Sequence, residues 1–160
     1  MRDMRSRLVF EGYRVHRLTF QSSAEFSFSA PVAMDFHVYK DVSMAPDDPS
    51  RSTVRILVDI FDKAALADVP FRMHVEVDGT FRVEPGDDDT EAISPKLLME
   101  RNAPAILFPF VRSVVASITA AANVPPFVLP VLNINHVPPV NDRHECEGDR
   151  PCLGITDARD

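Results

Sequence analysis

The feature that most constrains the fold is the run over residues 102–134, NAPAILFPFVRSVVASITAAANVPPFVLPVLNI. Asn102 is suited to cap a helix, and Pro104 falls in the first turn, where its missing N–H is tolerated. Pro109 predicts a kink. The predicted helix ends at Asn123, and Pro125 and Pro126 prevent it from continuing. Between these points, apolar residues recur at helical spacing, at Phe110, Val111, Val114, Val115, Ile118 and Ala122.

Five stretches before this helix alternate between apolar and polar residues, as half-buried strands do. They are residues 8–20, 24–30, 34–44, 53–61 and 69–84, with a loop over residues 45–52. In the first stretch Gly12 interrupts the alternation and predicts a β-bulge between the apolar pairs Leu8 with Phe10 and Tyr13 with Val15. The sequence therefore predicts strands followed by one long helix and a proline-rich loop, an α+β fold.

The stretch over residues 69–84 contains two conflicting signals. Asp78-Gly79 is a typical two-residue hairpin turn, but a hairpin there would set Phe81 beside Glu76. An unbroken strand keeps the apolar residues of the stretch on one face. Because a one-residue error turns every side chain over, face consistency is the stronger constraint. We predict one long strand in which Gly79 marks a close approach or a bulge.

Composition excludes several classes of protein. The chain has 160 residues and a net charge of −7, which disfavours nucleic-acid binding. No run approaches the roughly 18 apolar residues of a membrane span, and the N-terminus lacks the apolar part of a signal peptide. The sequence therefore predicts a cytoplasmic protein. Residues 139–160 are polar and charged, so we predict one domain over residues 1–138 and a disordered tail after it.

The sequence offers no convincing metal site or catalytic motif. His144, Cys146 and Cys152 in the tail are metal-ligand types, but a structural zinc site needs four ligands at closer spacing. The nucleophile elbow, phosphate-binding glycine loop and zinc-protease motifs are all missing from the sequence. His16 and His37 fall on strand patterns and are interpreted as ordinary strand histidines. The sequence therefore predicts no enzyme, no cofactor and no metal site.

Phenylalanine is unusually frequent for a fold of this kind. The chain has eleven phenylalanines, two tyrosines and no tryptophan. One sheet face packed on one helix does not require so many rings. The surplus predicts either an apolar groove or an interface between subunits, and the sequence alone does not choose between them.

The segment over residues 102–133 closely resembles the C-terminal part of the SecB and SecB-like chaperones. The sequence AEFSFSAP over residues 24–31 resembles the first strand of that family, which ends in Ala-Pro. The resemblance implies a four-stranded antiparallel sheet, a crossover, a long helix, a proline-rich loop and usually a second helix. The sequence VLNINHVPPV, which contains two prolines, stands where that second helix would run.

The resemblance also implies a function and partners. SecB is not an enzyme and needs no cofactor. It is a tetramer, a dimer of dimers, that holds unfolded polypeptides in apolar grooves. SecB then passes preproteins to the SecA motor, whereas some SecB-like relatives protect an antitoxin instead. A non-catalytic oligomeric adaptor that has lost client binding is the alternative hypothesis.

Alignment with the family implies candidate site residues. Met34, Phe36, Phe71 and Phe110 fall where the family contacts its clients. Glu25 and His74 fall at positions of the motor-docking surface, which is acidic in the family. A second acidic position of that surface is Ser29, and Arg72 replaces an apolar neighbour. These changes predict weak docking of a basic partner.

Overall fold

A computed structural model of the protein describes residues 6–27, 29, 32–85 and 94–141. Four antiparallel strands form one sheet in the order β1-β4-β3-β2, which confirms the predicted fold class. The strands are β1 (Leu8–Ser22), β2 (Phe36–Ala45), β3 (Asp48–Ile60) and β4 (Phe71–Val83). Because β3 begins at Asp48, the β2–β3 turn is tighter than the loop predicted over residues 45–52.

The helical region follows the sheet and lies against one face of it. It consists of α1 (Pro95–Leu97), a π-type turn (Leu98–Asn102) and α2 (Ala103–Ala121). The prediction that Asn102 caps this helix is wrong, because Asn102 is itself helical and makes no capping bond. The cap is Ser94, whose hydroxyl accepts the N–H of Leu97. Asn123 ends the helix as predicted, in the left-handed conformation with φ 57°.

The helical region is more apolar than the sequence prediction allowed. By length and composition alone, the 27 residues Pro95–Ala121 would suffice to cross a membrane. The sequence prediction that no run is apolar enough to resemble a membrane span was therefore wrong for this helix. The physical reason for this composition is packing, because Leu107, Val111 and Val115 in α2 are fully buried against the sheet. The core helix of a domain passes the same test of length and composition.

Strand β4 runs unbroken through the centre of the sheet, so the single-strand prediction is confirmed. Gly79 lies directly beneath α2. A Cβ atom at this position would stand 2.9 Å from Leu107 Cδ1 and 2.9 Å from Phe81 Cε2. Gly79 therefore marks the close approach of helix and strand that the sequence predicted.

Strand β1 forms one edge of the sheet and contains two bulges, one of which the sequence predicted. The register shifts between Phe10 and Gly12, where Gly12 has φ 136°, and again between Val15 and Arg17. Each bulge returns the apolar residues to the face that packs on α2. Tyr13, Val15 and Leu18 lie on this face, opposite Gly79, Val77 and Val75 respectively.

The predicted strand over residues 24–30 is wrong for the residues that the structure describes. Residues 23–27 form bends and irregular chain. The hydroxyl of Ser23 accepts the N–H groups of Glu25 and Phe26 at 3.3 and 3.1 Å. This local turn competes with strand pairing. The alternating residues that predicted a strand here belong instead to the crossover between β1 and β2.

Candidate functional site

An apolar pocket of about 240 Å³ opens between β2 and the segment that follows α2. In the part of the chain that the structure describes, this segment (residues 122–141) is extended apart from short turns, including one at Ile134–His136. Two strand residues and five segment residues line the pocket, namely Phe36, Val38, Leu132, Asn133, His136, Val137 and Pro138. We call this pocket and the adjoining edge of β2 the groove.

Two side chains of α2 fix the first half of the segment. Arg112 Nε donates a hydrogen bond to the carbonyl oxygen of Leu129 at 2.7 Å. The buried hydroxyl of Thr119 accepts the N–H of Phe127 at 2.9 Å and donates to the carbonyl oxygen of Val115 at 3.0 Å. Leu129 is fully buried. The helix therefore holds this wall of the groove in one position.

Lys40 of β2 fixes the second half of the segment. Its Nζ donates to the carbonyl oxygens of Ile134 and Asn135 at 2.8 and 3.3 Å. Its backbone N–H donates to the carbonyl oxygen of Pro138 at 3.0 Å. Partial burial lowers the pKa of the Lys40 ammonium group, and the charge of Glu100 opposes that shift. The segment is thus attached to both the helix and the strand.

The open edge of β2 offers main-chain groups beside the pocket. The Lys40 N–H points away from β3, and groups two residues apart in a strand point the same way. The backbone groups of Phe36 and Val38 therefore face outward as well. At Lys40 this edge is already occupied, because Lys40 forms an isolated parallel bridge with Pro139 of the segment after α2. An extended peptide can pair with such an edge.

Several apolar side chains that are close in sequence to the pocket-lining residues are exposed. Met34 is 40% exposed, Val128 is 56% exposed and Val131 is 83% exposed. The half-buried ring of Phe36 lies 6.1 Å from the ring of Phe127. Apolar surface that is left uncovered beside a concave pocket is typical of a site that binds another apolar group.

The four residues predicted to contact a client lie in different places. Phe36 lines the pocket, whereas Met34 is an exposed residue two positions before it in the chain. Phe71 is 3% exposed and stacks between Phe20 and Phe61, so it supports the core and is closed to a client in this conformation. Phe110 is half-buried beside β1, its ring 5.0 Å from that of Tyr13.

Most of the groove's second wall was not predicted from the sequence. Leu132 and Val137 belong to the segment VLNINHVPPV, which was interpreted only as the place of the family's second helix. The signal available in the sequence was the set of apolar residues between its prolines.

The other face of the sheet is densely charged. The carboxylates of Asp59, Glu76 and Asp78 are nearly buried there, with 2%, 9% and 4% of their side chains exposed. His74 lies between two of them, with Nδ1 2.6 Å from Asp59 and Nε2 3.0 Å from Glu76. Arg55 binds Asp78 through two hydrogen bonds of 2.6 and 3.0 Å.

These pairings set the ionisation of the buried acids. Burial alone would raise the pKa of Asp78, but the hydrogen bonds and charge of Arg55 outweigh it and hold the pKa below its ordinary value. The pKa of Glu76 is lowered in the same way, with burial opposed by the hydrogen bond from His74 and the charge of Arg55. Both acids are therefore ionised and paired at neutral pH.

The two predicted motor-docking residues lie in unlike surroundings. His74 is only 18% exposed and is occupied by its two acidic partners. Glu25 is exposed in the crossover after β1. The acidic groups near His74 are also approached by His16, Arg14 and Arg17 of β1. The sheet face around His74 is a balanced ionic network.

The fold and the groove define a class, a small α+β protein with one helix over a four-stranded sheet and an apolar groove at the sheet edge. The chain belongs to the SecB family, because the family model described as preprotein translocase subunit SecB matches residues 21–137, more than half of the chain. This membership confirms the family resemblance and supports a chaperone role.

Two individual proteins are similar to this chain in sequence. The uncharacterized protein MJ0357 of Methanocaldococcus jannaschii is 30% identical over 128 residues, which cover 79% of each chain. The protein-export protein SecB of Anaplasma phagocytophilum is 38% identical over 65 residues, or 41% of this chain and 40% of that protein.

A solved structure shares the fold. It is the Mycobacterium tuberculosis Rv1957 SecB-like chaperone in complex with a ChAD peptide from the Rv1956 HigA1 antitoxin. The two chains are 20% identical, with a TM-score of 0.60, and the match covers 79% of this chain and 91% of that chain.

Proposed function

We propose that this protein is a cytoplasmic, ATP-independent holdase that binds unfolded polypeptides in the groove. The observation that carries the proposal is the apolar pocket beside the open edge of β2. Family membership supports the same role. Holding a chain in this way requires no catalysis and no cofactor, so we propose that the protein is not an enzyme.

An extended client fits the groove on physical grounds. Its main chain adds to the edge of β2 at Phe36 and Val38, and its alternate side chains enter the pocket. Burial of apolar surface supplies the driving force, at about 25 cal/mol for each Å². The recognition is therefore tolerant of sequence but requires an unfolded, apolar stretch.

The test is an aggregation assay with a chemically denatured client diluted into buffer without nucleotide. We expect one equivalent of oligomeric chaperone to suppress light scattering, and we expect added ATP to change nothing. Scattering that is identical with and without the protein would reject the proposal.

Two client classes are consistent with this groove. The family description favours unfolded preproteins on their way to export. The antitoxin peptide bound to the Mycobacterium tuberculosis relative favours an unstable antitoxin. Both are extended polypeptides with apolar side chains, so the groove chemistry is the same. What differs is the need for a motor-docking surface.

We expect weak docking of SecA. The acids of the sheet face around His74 are paired with Arg55, Arg14 and Arg17, which leaves little negative charge to attract a basic partner. A pull-down with the C-terminal tail of the motor measures this, with an export SecB as positive control. Retention as strong as that of the control would contradict the expectation.

We further propose a homotetramer built as a dimer of dimers. Tyr13, Val15 and Leu18 on the edge strand β1 are 45%, 42% and 45% exposed, a row of apolar surface that a second copy would cover. Phe110, whose ring contacts that of Tyr13, would lie beside this interface and would therefore contribute to assembly.

The substitution Val15→Glu is expected to shift the protein to a smaller species, because it places a charge within the apolar row. Light scattering coupled to gel filtration measures the mass. Thr19→Glu, on the opposite face of the same strand, is the matched control and is expected to keep the larger assembly. A Val15→Glu protein with unchanged mass would exclude β1 from the interface.

The alternative proposal is a non-catalytic oligomeric adaptor without client binding. It requires that Phe36 be covered by another subunit, since Phe71 is already buried within the monomer. A client peptide that crosslinks to a photoreactive residue at position 36 would reject this alternative.

A further inference from the structure

We propose that Asp35, His37 and Asp62 form a binding site for one divalent transition-metal ion, with Zn²⁺ as the representative ion. One ligand atom from each residue can be chosen so that all three lie within 4.8 Å of one another. Atoms that share such an ion stand roughly 3–4 Å apart, so the ligand atoms must approach one another by at most about 1–2 Å to close the site. Asp62, with 34% of its side chain exposed, has room to make that shift.

The buried nitrogen of His37 is the independent observation that points to a ligand. The His37 side chain is 12% exposed. Its Nδ1 atom is buried and has no hydrogen-bond partner. Asp62 Oδ1 lies 3.6 Å away, too far for a hydrogen bond but suited to sharing an ion. Leaving a buried nitrogen without a hydrogen bond destabilises the fold, and a bound ion would offset that cost.

The fold brings these three residues together from two segments. Asp35 and His37 flank Phe36 at the start of β2, and Asp62 follows the end of β3. The N–H of Phe61 donates to the carbonyl oxygen of Asp35 at 2.9 Å, which ties the segments together. The imidazole also stacks on Tyr39, with ring centroids 6.5 Å apart.

The ligand chemistry selects the class of ion. One imidazole with two carboxylates suits Zn²⁺, Mn²⁺ or Fe²⁺, whereas Ca²⁺ and Mg²⁺ prefer oxygen ligands alone. Because Phe36 points to the groove and His37 to the other face, the ion would lie behind the groove. It would hold the end of the crossover that carries Met34 against the sheet.

The test is a calorimetric titration of the full chain with Zn²⁺. The parent for all variants carries His144→Asn, Cys146→Ser and Cys152→Ser, so that the tail offers no thiol or imidazole. We expect one Zn²⁺ per chain, and no heat from Ca²⁺ at the same concentration. No Zn²⁺ binding to this parent, or Ca²⁺ binding as tight as Zn²⁺ binding, would overturn the proposal.

Variants of the ligands locate the ion. His37→Gln and Asp62→Asn are each expected to weaken Zn²⁺ binding at least tenfold, while His16→Gln, on the same sheet face, is expected to leave it unchanged. Asp62 is exposed, so Asp62→Asn decides the matter if His37→Gln fails to fold. The second readout is the NMR chemical shift of the His37 imidazole nitrogens, which is expected to change when Zn²⁺ is added. Unchanged affinity in Asp62→Asn together with an unmoved His37 signal would overturn the assignment.

Discussion

The double variant Met34→Glu with Val131→Glu is expected to lose client binding while keeping its fold. Met34 lies two residues before Phe36 and Val131 directly before Leu132, both of which line the pocket, and the two side chains are 40% and 83% exposed, so neither change disturbs the core. Each removes an apolar contact worth about 1.5–3 kcal/mol on full burial. The pair should therefore weaken binding of an unfolded client by roughly 100-fold or more.

Affinity for a fluorescently labelled, unfolded client measures this effect, with circular dichroism as the check of folding. Met44→Glu is the matched control. Met44 is 37% exposed and lies on β2, about 26 Å along the strand from Phe36. We expect the control to bind as the unmodified protein does. A double variant that still binds normally would show that clients bind elsewhere, and the groove proposal would fail.

The substitution Arg55→Met is expected to destabilise the protein by about 3 kcal/mol at neutral pH. It leaves the nearly buried carboxylate of Asp78 without its two hydrogen bonds and removes a charge 3.3 Å from Glu76. Removing one partner of a buried pair costs about 3–5 kcal/mol, and the one-third exposure of Arg55 places the effect at the lower end. Urea unfolding measures the free energy.

Arg51→Met is the control for this prediction. Arg51 lies on the same strand, is half exposed, and pairs with Glu11 at 3.5 Å and Asp48 at 3.7 Å. Exposed pairs of this kind contribute about 0–1 kcal/mol. Equal losses of stability in the two variants would mean that the sheet-face network is no stronger than an ordinary surface pair.

The pH dependence of the Arg55→Met effect follows from the same pairing. In the folded protein the pKa values of Asp78 and Glu76 are lowered. Their stabilising contribution is therefore present above the ordinary carboxyl pKa of about 4 and is lost as the pH falls through the folded values. The difference between Arg55→Met and the unmodified protein should be largest at neutral pH and should shrink in acid.

The sequence predicted the sheet and the helix because their patterns are local and strong. The long alternation in β4 and the stripe of α2 each extend over many residues, so tertiary contacts did not need to decide them. The predicted strand over residues 24–30 failed because Ser23 captures the nearby N–H groups, a contact that an alternating pattern does not reveal. At Asp78-Gly79, the rule that apolar residues stay on one face correctly favoured an unbroken strand over a hairpin.

The site was only partly predictable, because it is assembled from residues far apart in the chain. Phe36 was proposed through the family resemblance, but Leu132 and Val137, which line the same pocket, lie in an irregular segment with no periodicity to interpret. Phe71 was assigned to the same surface, although its ring lies under Phe20. No sequence motif indicates that His37 lies near Asp62, because most of β2, a turn and all of β3 separate the two residues in the chain.

The prolines of the segment after α2 have a further consequence. Pro130, Pro138 and Pro139 carry no N–H group, so this wall has few donors with which to extend a ladder of hydrogen bonds. A client that pairs with β2 in the proposed way would form main-chain hydrogen bonds on one side only, because its other side would face this proline-rich segment. Pairing on one side only would keep bound clients from pairing with one another. It would thereby prevent cross-β aggregation from starting at the site where apolar segments are concentrated.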